Sequence, residues 1–368
     1  MHDSQFLPHA PQSDRAPAVR EESVMGPERL HTATGDEAAL PGPAESTMRA
    51  IVQDAYGSAD VLRLARITRP EIAGSEVLLR VHAAGLDRGR WHMMTGRPYL
   101  LRLVCGIRGP RNPVQGLDVA GTVVAVGSAV TRFSPGDEVF GFGRGAFAEY
   151  ATAREDKLAR KPANATFEQA AVVPVSALTA LQALTNAGRI KAGQKALVTG
   201  ASGGVGSYAV QLARAFGAEV TGVCSTAKLD LVRSLGAAHV IDYTRDDFAG
   251  GGLRYDLILD IAGNPSLSRL RRALTPAGTA VIVGGEQGGN WTGMGRPLRA
   301  LALSLFVRQR LTMVTARQRA SDLERLTGLI EAGTVTPSIG ATYPLDQAPE
   351  ARRHLESGRA RGKVAITI

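Results

Sequence analysis

Apolar positions follow two different rhythms along this chain. From Met48 to about Glu168 they fall in short runs separated by glycine and proline. Residues 76–83 (Glu-Val-Leu-Leu-Arg-Val-His-Ala) and the Val-rich 118–126 read as strands, and 138–142 and 147–152 add two more. Asn112-Pro113 and Ser134-Pro135-Gly136-Asp137 mark turns between them. Such punctuation predicts a β-rich, barrel-like domain. Beyond residue 169 strands alternate with helices, the pattern of a doubly wound parallel sheet. Residues 196–198 form a buried strand, and Val205, Ala209, Leu212 and Ala213 recur at helical spacing. Strands follow at 219–223, 237–241 and 255–261, then a helix at 267–274 that Pro276-Ala277-Gly278 stops, and a strand and turn at 279–285. Helices are expected at 298–307, 322–331 (capped by Gly333 and closed by Pro337) and 348–356. Gly362-Lys363-Val364 opens a closing strand.

The most informative stretch joins the first strand and helix of the second region. Gly200, Ser202, Gly203, Gly204, Val205 and Gly206 lie between a strand and an amphipathic helix. Glycines at 200, 203 and 206 permit a tight reversal, close approach of a phosphate to the backbone, and close helix–sheet packing. The helix then presents unpaired N–H groups and its positive end to the turn. A dinucleotide site is expected. The next strand ends at Cys224, Ser225 and Thr226, with Lys228 following. A site that prefers NAD commonly carries an acid at this strand end, to hold the ribose 2′-OH. None is present, and two hydroxyls with a lysine suit a 2′-phosphate. The expected cofactor is NADPH.

Composition narrows the alternatives. The 368 residues are enough for two domains, and 44% hydrophobic with 21% charged residues matches an ordinary globular protein. The apolar run near 298–307 is broken by Arg299, so no membrane partner is expected. Two cysteines, Cys105 and Cys224, suit a reducing cytoplasm, the expected location. Residues 1–47 differ in kind: Pro- and Ala-rich, without apolar periodicity, and carrying eight acids against three bases. They read as a disordered extension with neither a secretory nor a mitochondrial signal. The net charge of +9 therefore becomes +14 for the remainder. That surplus fits an anionic cofactor. It also leaves room for a low-turnover nucleotide- or RNA-binding protein, although no nucleic-acid module is recognisable.

Gly136-Asp137, Gly145-Ala-Phe-Ala-Glu-Tyr150, the 174–184 segment, the Gln194–Gly206 stretch and Gln211 occur in one order. With them the chain resembles the medium-chain dehydrogenase/reductase superfamily, and within it the zinc-independent quinone oxidoreductase (zeta-crystallin-like) branch. The resemblance runs from about Met48 to Ile368. It implies an α/β fold in which a GroES-like catalytic domain, 48–168 and 309–368, is interrupted by a Rossmann NADP-binding domain, 169–308. It also implies a cleft between the two, and a homodimer. By the same resemblance Tyr243, Ala262, Val283, Gly284, Gly285 and Lys363 join the cofactor site.

A catalytic zinc needs about three protein ligands. Where zinc-dependent relatives carry their Cys and His-Glu, this chain has Gly85-Leu86-Asp87 and Gly116-Leu117-Asp118. Leu117 ligates nothing, and Cys105 stands alone. No metal is expected. Catalysis then rests on hydride placement and on polar groups that steady a developing oxyanion. Asp87, Arg88 and Tyr99 are the catalytic candidates; Trp91, His92 and Trp291 are candidates for the substrate pocket. Water remains open as the proton source. The expected activity is NADPH-dependent hydride transfer to a quinone or activated alkene, an oxidoreductase with a small-molecule substrate. An NADP-dependent alcohol dehydrogenase is the alternative.

Overall fold

The computed structural model describes residues 46–284 and 295–368. Most of the expected N-terminal extension, along with Gly285 and Trp291, lies outside them. The described residues open with an antiparallel ribbon, β1 (Thr47–Val52) and β2 (Arg63–Thr68). Next come β3 (Glu76–Leu86), α1 (Gly89–Thr95), α2 (Arg102–Cys105), β4 (Asp118–Val126), β5 (Glu138–Phe142), β6 (Tyr150–Arg154) and β7 (Leu158–Arg160). β3 alternates buried positions with half-buried or exposed ones and then buries its last four residues. That change marks where it leaves the surface for the centre of the molecule.

Two helices lead into the second region. α3 (Phe167–Ala171) begins with a capping box in which Thr166 and Gln169 satisfy each other's backbone N–H groups. α4 (Pro174–Gln182) has proline in its first turn and an almost wholly buried sequence. There follow β8 (Lys195–Thr199), α5 (Gly204–Ala215), β9 (Glu219–Cys224), α6 (Leu229–Ser234), β10 (His239–Asp242), β11 (Tyr255–Asp260), α7 (Leu267–Ala273) and β12 (Leu274–Ile282). The chain ends with α8 (Gly295–Ser304), β13 (Arg310–Met313), α9 (Ala320–Glu331), β14 (Ile339–Pro344), α10 (Ala348–Glu356) and β15 (Lys363–Thr367).

Six strands form one parallel sheet in the order β10-β9-β8-β11-β12-β13. By position in the chain this is 3-2-1-4-5-6, so connections leave in opposite directions from β8 and β11. A crevice opens between them at the strands' carboxyl ends. The second sheet has the order β14-β15-β3-β4-β5-β7, with β6 pairing the first half of β3. It is antiparallel except for the β14–β15 pair. The fold is therefore α/β, a GroES-like sheet domain beside a Rossmann-type parallel sheet. One apolar cluster joins them: Ala83, Ala120, Phe140 and Phe142 pack in the same core as Leu178, Leu181, Tyr208 and Leu212. α4 thus lies between the sheets as a shared wall.

Local differences from the sequence reading have physical reasons. Pro276-Ala277-Gly278 does not stop a helix, because α7 has already ended at Ala273 and these residues lie inside β12. The pairing jumps there from Tyr255–Leu274 to Leu257–Thr279, a bulge that accommodates the proline. Residues 310–313, expected past the parallel sheet, are its sixth strand. The segment after β3, for which the apolar pattern predicts no element, is helical from Gly89 to Thr95.

Candidate active site

A cleft of about 500 Å³ opens where the carboxyl ends of β8, β9, β11 and β12 face the end of β3 and the start of α1. Its floor is the glycine turn. Gly200 takes a left-handed conformation (φ +66°), and Gly203 N–H donates to Gly200 O at 3.0 Å. A Cβ on Gly206 would fall 2.1 Å from Gly200 O, so only glycine lets α5 start this close beneath the turn. No side chain caps α5. Gly204 and Val205 line the cleft, so the helix meets it with uncapped N–H groups and its positive end. These features fit a pyrophosphate, and Gly200, Ser202, Gly203, Gly204 and Val205 would hold it.

The β9 end of the cleft, where a 2′-phosphate is expected, is more committed than its residue types suggest. Ser225 lines the cleft and Thr226 does not. Thr226 Oγ1 donates to Asp242 Oδ2 at 2.5 Å, and Thr244 N and Oγ1 donate to Asp242 Oδ1. These bonds outweigh burial and hold the Asp242 carboxyl below its ordinary range. Lys228 lines the cleft, but its ammonium already donates to Gly358 O and Ala360 O at 2.8 Å each. Burial pulls it below the usual lysine value, and Arg361 adds to this. Arg361 itself reaches Ala227 O and Asp230, both at 2.6 Å. Lysine and arginine together strap the α10–β15 connection across the end of the cleft. Tyr243 stands exposed at its edge. Ala262, Val283 and Gly284 supply the wall below the crevice.

The opposite wall comes from the antiparallel sheet. Asp87, Arg88 and His92 line it; Trp91 and Tyr99 do not. Trp91 packs against the core of that sheet instead. Tyr99 lies under the guanidinium of Arg102, 4.9 Å from its ring centre. Asp87 is buried; its Oδ1 accepts from Arg90 N–H at 2.9 Å, and its Oδ2 has no partner. Arg352, fully enclosed, donates to Asp87 O. Below them Lys363, also buried, donates to Leu86 O at 2.6 Å. Its Nζ lies 3.9 Å from the fully buried Asp118 carboxylate, which accepts from Val175 N–H at the head of α4. Burial pushes Asp118 up and Lys363 down, each opposed by the other's charge.

Sequence reasoning did not find Val175, Ser176 and Thr179 of α4, or Leu355, Gly358, Ala360 and Gly362 near the closing strand. Asp118, expected only as the first residue of a strand where zinc-dependent relatives carry a ligand, pairs with Lys363. Among the described residues no three His, Cys, Asp or Glu side chains gather as metal ligands. Asp87 and Asp118 are engaged by Arg90, Val175 and Lys363. The donor set there does not fit zinc.

Residues 73–163 match the model for the alcohol dehydrogenase GroES-like domain, and residues 235–366 match that for zinc-binding dehydrogenases. The chloroplast envelope quinone oxidoreductase homolog of Arabidopsis thaliana is 34% identical over 339 residues, covering 88% of this chain and 99% of that protein. The chain belongs to the quinone oxidoreductase branch of the medium-chain dehydrogenase/reductase family. A second member from Arabidopsis thaliana, the chloroplastic NADPH-dependent alkenal/one oxidoreductase, is 34% identical over 87% of this chain and 79% of that one. The solved quinone oxidoreductase from Coxiella burnetii superposes with a TM-score of 0.78 at 28% identity, covering 88% of this chain and 99% of that one. Membership in this branch makes the chain an oxidoreductase with a nicotinamide cofactor, and the cleft is where its residues fit one. No helix among the described residues is long and apolar enough to cross a membrane.

Proposed function

We propose that the protein reduces a quinone or an activated alkene with NADPH. The observation that carries this reading is the cleft in which an uncapped glycine turn, a β9 end without an acid and a buried polar wall meet. Ser225 and the remaining donor of Lys228 receive the 2′-phosphate, and Tyr243 covers it. Ala262, Val283 and Gly284 position the nicotinamide, which supplies hydride when bound. Relatives named quinone oxidoreductase and alkenal/one oxidoreductase support the substrate classes. Rate arises from holding an electron-poor carbon beside the hydride donor. Arg88 and His92 sit where they would steady the oxygen that gains charge, and Asp87 orients that wall by binding Arg90 N–H. Two copies pair along the edge strand β13 and α8, beside which Leu305 and Phe306 are more than four-fifths exposed.

The test is cofactor consumption with a benzoquinone and with a short enone, using NADPH and NADH in parallel. Faster turnover with NADPH on either acceptor is the expected result. No oxidation of either cofactor across the panel would overturn the catalytic reading, and equal kcat/KM for the two cofactors would overturn the NADPH assignment.

A further inference from the structure

The stretch between Asp87 and Asp118 contains six arginines and no acid. Within it a 3-10 turn at Tyr99–Leu101 runs straight into α2. Leu100, Leu103 and Val104 fall at i, i+3 and i+4, on one side of that helical stretch. Ile107 follows just past Gly106. All four are more than half exposed, from 56% to 71%, an unusual density of apolar surface in so few residues.

The underside of the same stretch is held firmly. The Arg102 guanidinium lies 4.6 Å from the centre of the Tyr56 ring, and its Nε donates to Gly96 O at 3.0 Å. Tyr56 Oη donates to Gly106 O at 2.6 Å, and Arg111 N–H donates to Cys105 O at 2.7 Å. A Cβ on Gly106 would lie 2.0 Å from Gly109 O, so the backbone crosses itself closely at that point. The fold therefore fixes this knob and leaves its apolar tips pointing outward, with Arg97, Arg108 and Arg111 exposed around them.

We infer that, against the sequence expectation of no membrane partner, which rested on the lack of a spanning segment, this knob, residues 97–111, docks the protein on an anionic lipid surface. Apolar tips enter the boundary between headgroups and acyl chains, and the arginines meet anionic headgroups. A second copy of the chain is the poorer occupant, because a twofold interface here would bring the same positive charges face to face. The knob also begins where α1 ends, and His92 of the cleft wall hydrogen-bonds Arg97 O through Nδ1 at 2.9 Å. Docking thus brings the cleft wall to the bilayer, where apolar acceptors concentrate; this consequence alone rests on the proposed quinone or enone reduction.

Co-sedimentation of the full chain with vesicles tests the docking without any turnover measurement. Phosphatidylcholine vesicles carrying about one-third phosphatidylserine are compared with phosphatidylcholine alone. The expected preference is about tenfold or more for the anionic vesicles, weakening as salt is raised. Leu103→Ser with Ile107→Ser, and separately Arg108→Glu with Arg111→Glu, should each reduce binding by a similar factor at an unchanged melting temperature. Leu253→Asp, at an exposed apolar residue away from the knob, should leave it intact. Equal binding to both vesicle types, or full binding by the Leu103/Ile107 variant, overturns the inference. So does a dimer that the Leu103/Ile107 substitutions dissociate without vesicles, which would assign the knob to a second copy.

Discussion

The Lys363–Asp118 pair makes a quantitative prediction. Replacing Lys363 by Met keeps most of the buried methylene volume and removes the charge. At the observed 3.9 Å the lost attraction is about 4 kcal/mol at an effective dielectric constant near 20. The charge-assisted bond to Leu86 O adds about 1.5–3 kcal/mol. Against this, the lysine no longer has to be stripped of water, and Asp118 can escape its isolation by taking a proton. The net cost at neutral pH is then about 3 kcal/mol, at the low end for breaking a buried pair, or about 4 °C in Tm for a chain of this length. The pH dependence is the sharper test. In the native pair each charge opposes the effect of burial on the other, so the pair contributes less slope than an unopposed Asp118 would. In K363M the Asp118 carboxyl, with burial unopposed, is raised further above its ordinary 3.8. A carboxyl whose folded pKa exceeds its unfolded value favours folding at low pH and loses that advantage as pH rises through the folded pKa. The K363M deficit should therefore grow between pH 5 and pH 8, by up to about 1.4 kcal/mol per pH unit. Calorimetry on wild type, K363M, D118N and the double variant measures this. The double variant should recover about 3 kcal/mol relative to the sum of the singles and should lose the slope. A pH-independent deficit, or strict additivity, would refute the reasoning.

Three further outcomes follow from the same geometry. Ser225→Asp places the missing acid at the end of β9 and should reverse cofactor preference; kcat/KM for NADPH should fall about a hundredfold relative to that for NADH, near 2.7 kcal/mol of discrimination. Gly206→Ala forces a methyl to 2.1 Å from Gly200 O. It should weaken NADPH binding at least about tenfold in a fluorescence titration, because the turn opens. Arg296→Met leaves the buried Asp260, whose pKa burial already raises against the pull of Arg296, without its ion-pair partner. The expected loss is about 3 kcal/mol of stability in thermal unfolding, largely restored by adding Asp260→Asn.

Much of the fold was legible because the strands are marked by composition alone. Residues 118–126 and 138–142 coincide with β4 and β5, and the glycine turn falls between β8 and α5 as its spacing demands. The site was only half legible. Gly200, Ser202, Gly203, Gly204 and Val205 act through backbone geometry that glycine spacing encodes directly. Thr226 and Lys228 looked available as residue types, yet a neighbouring acid and two carbonyls engage them. Trp91 and His92 are adjacent in sequence, but only one faces the cleft; the direction of a side chain from so short a helix depends on what packs beneath it. Asp118 and Lys363 are 245 positions apart, and nothing local in either segment signals their meeting.

The placement of β15 orders the assembly of the molecule in time. The parallel sheet is drawn from a continuous span, residues 195–313, and neighbouring segments in the chain build most of it. The other sheet is left with an open flank along the last residues of β3 until residues 363–367 arrive to pair with Ala83–Leu86. Closing that gap joins segments nearly 280 residues apart, the costliest kind of contact to form by chance. During synthesis the nucleotide-side domain can be complete while Leu86 O and Asp118 still await Lys363. The cleft is therefore the last part of the molecule to exist, and no nascent chain short of Lys363 holds a finished one.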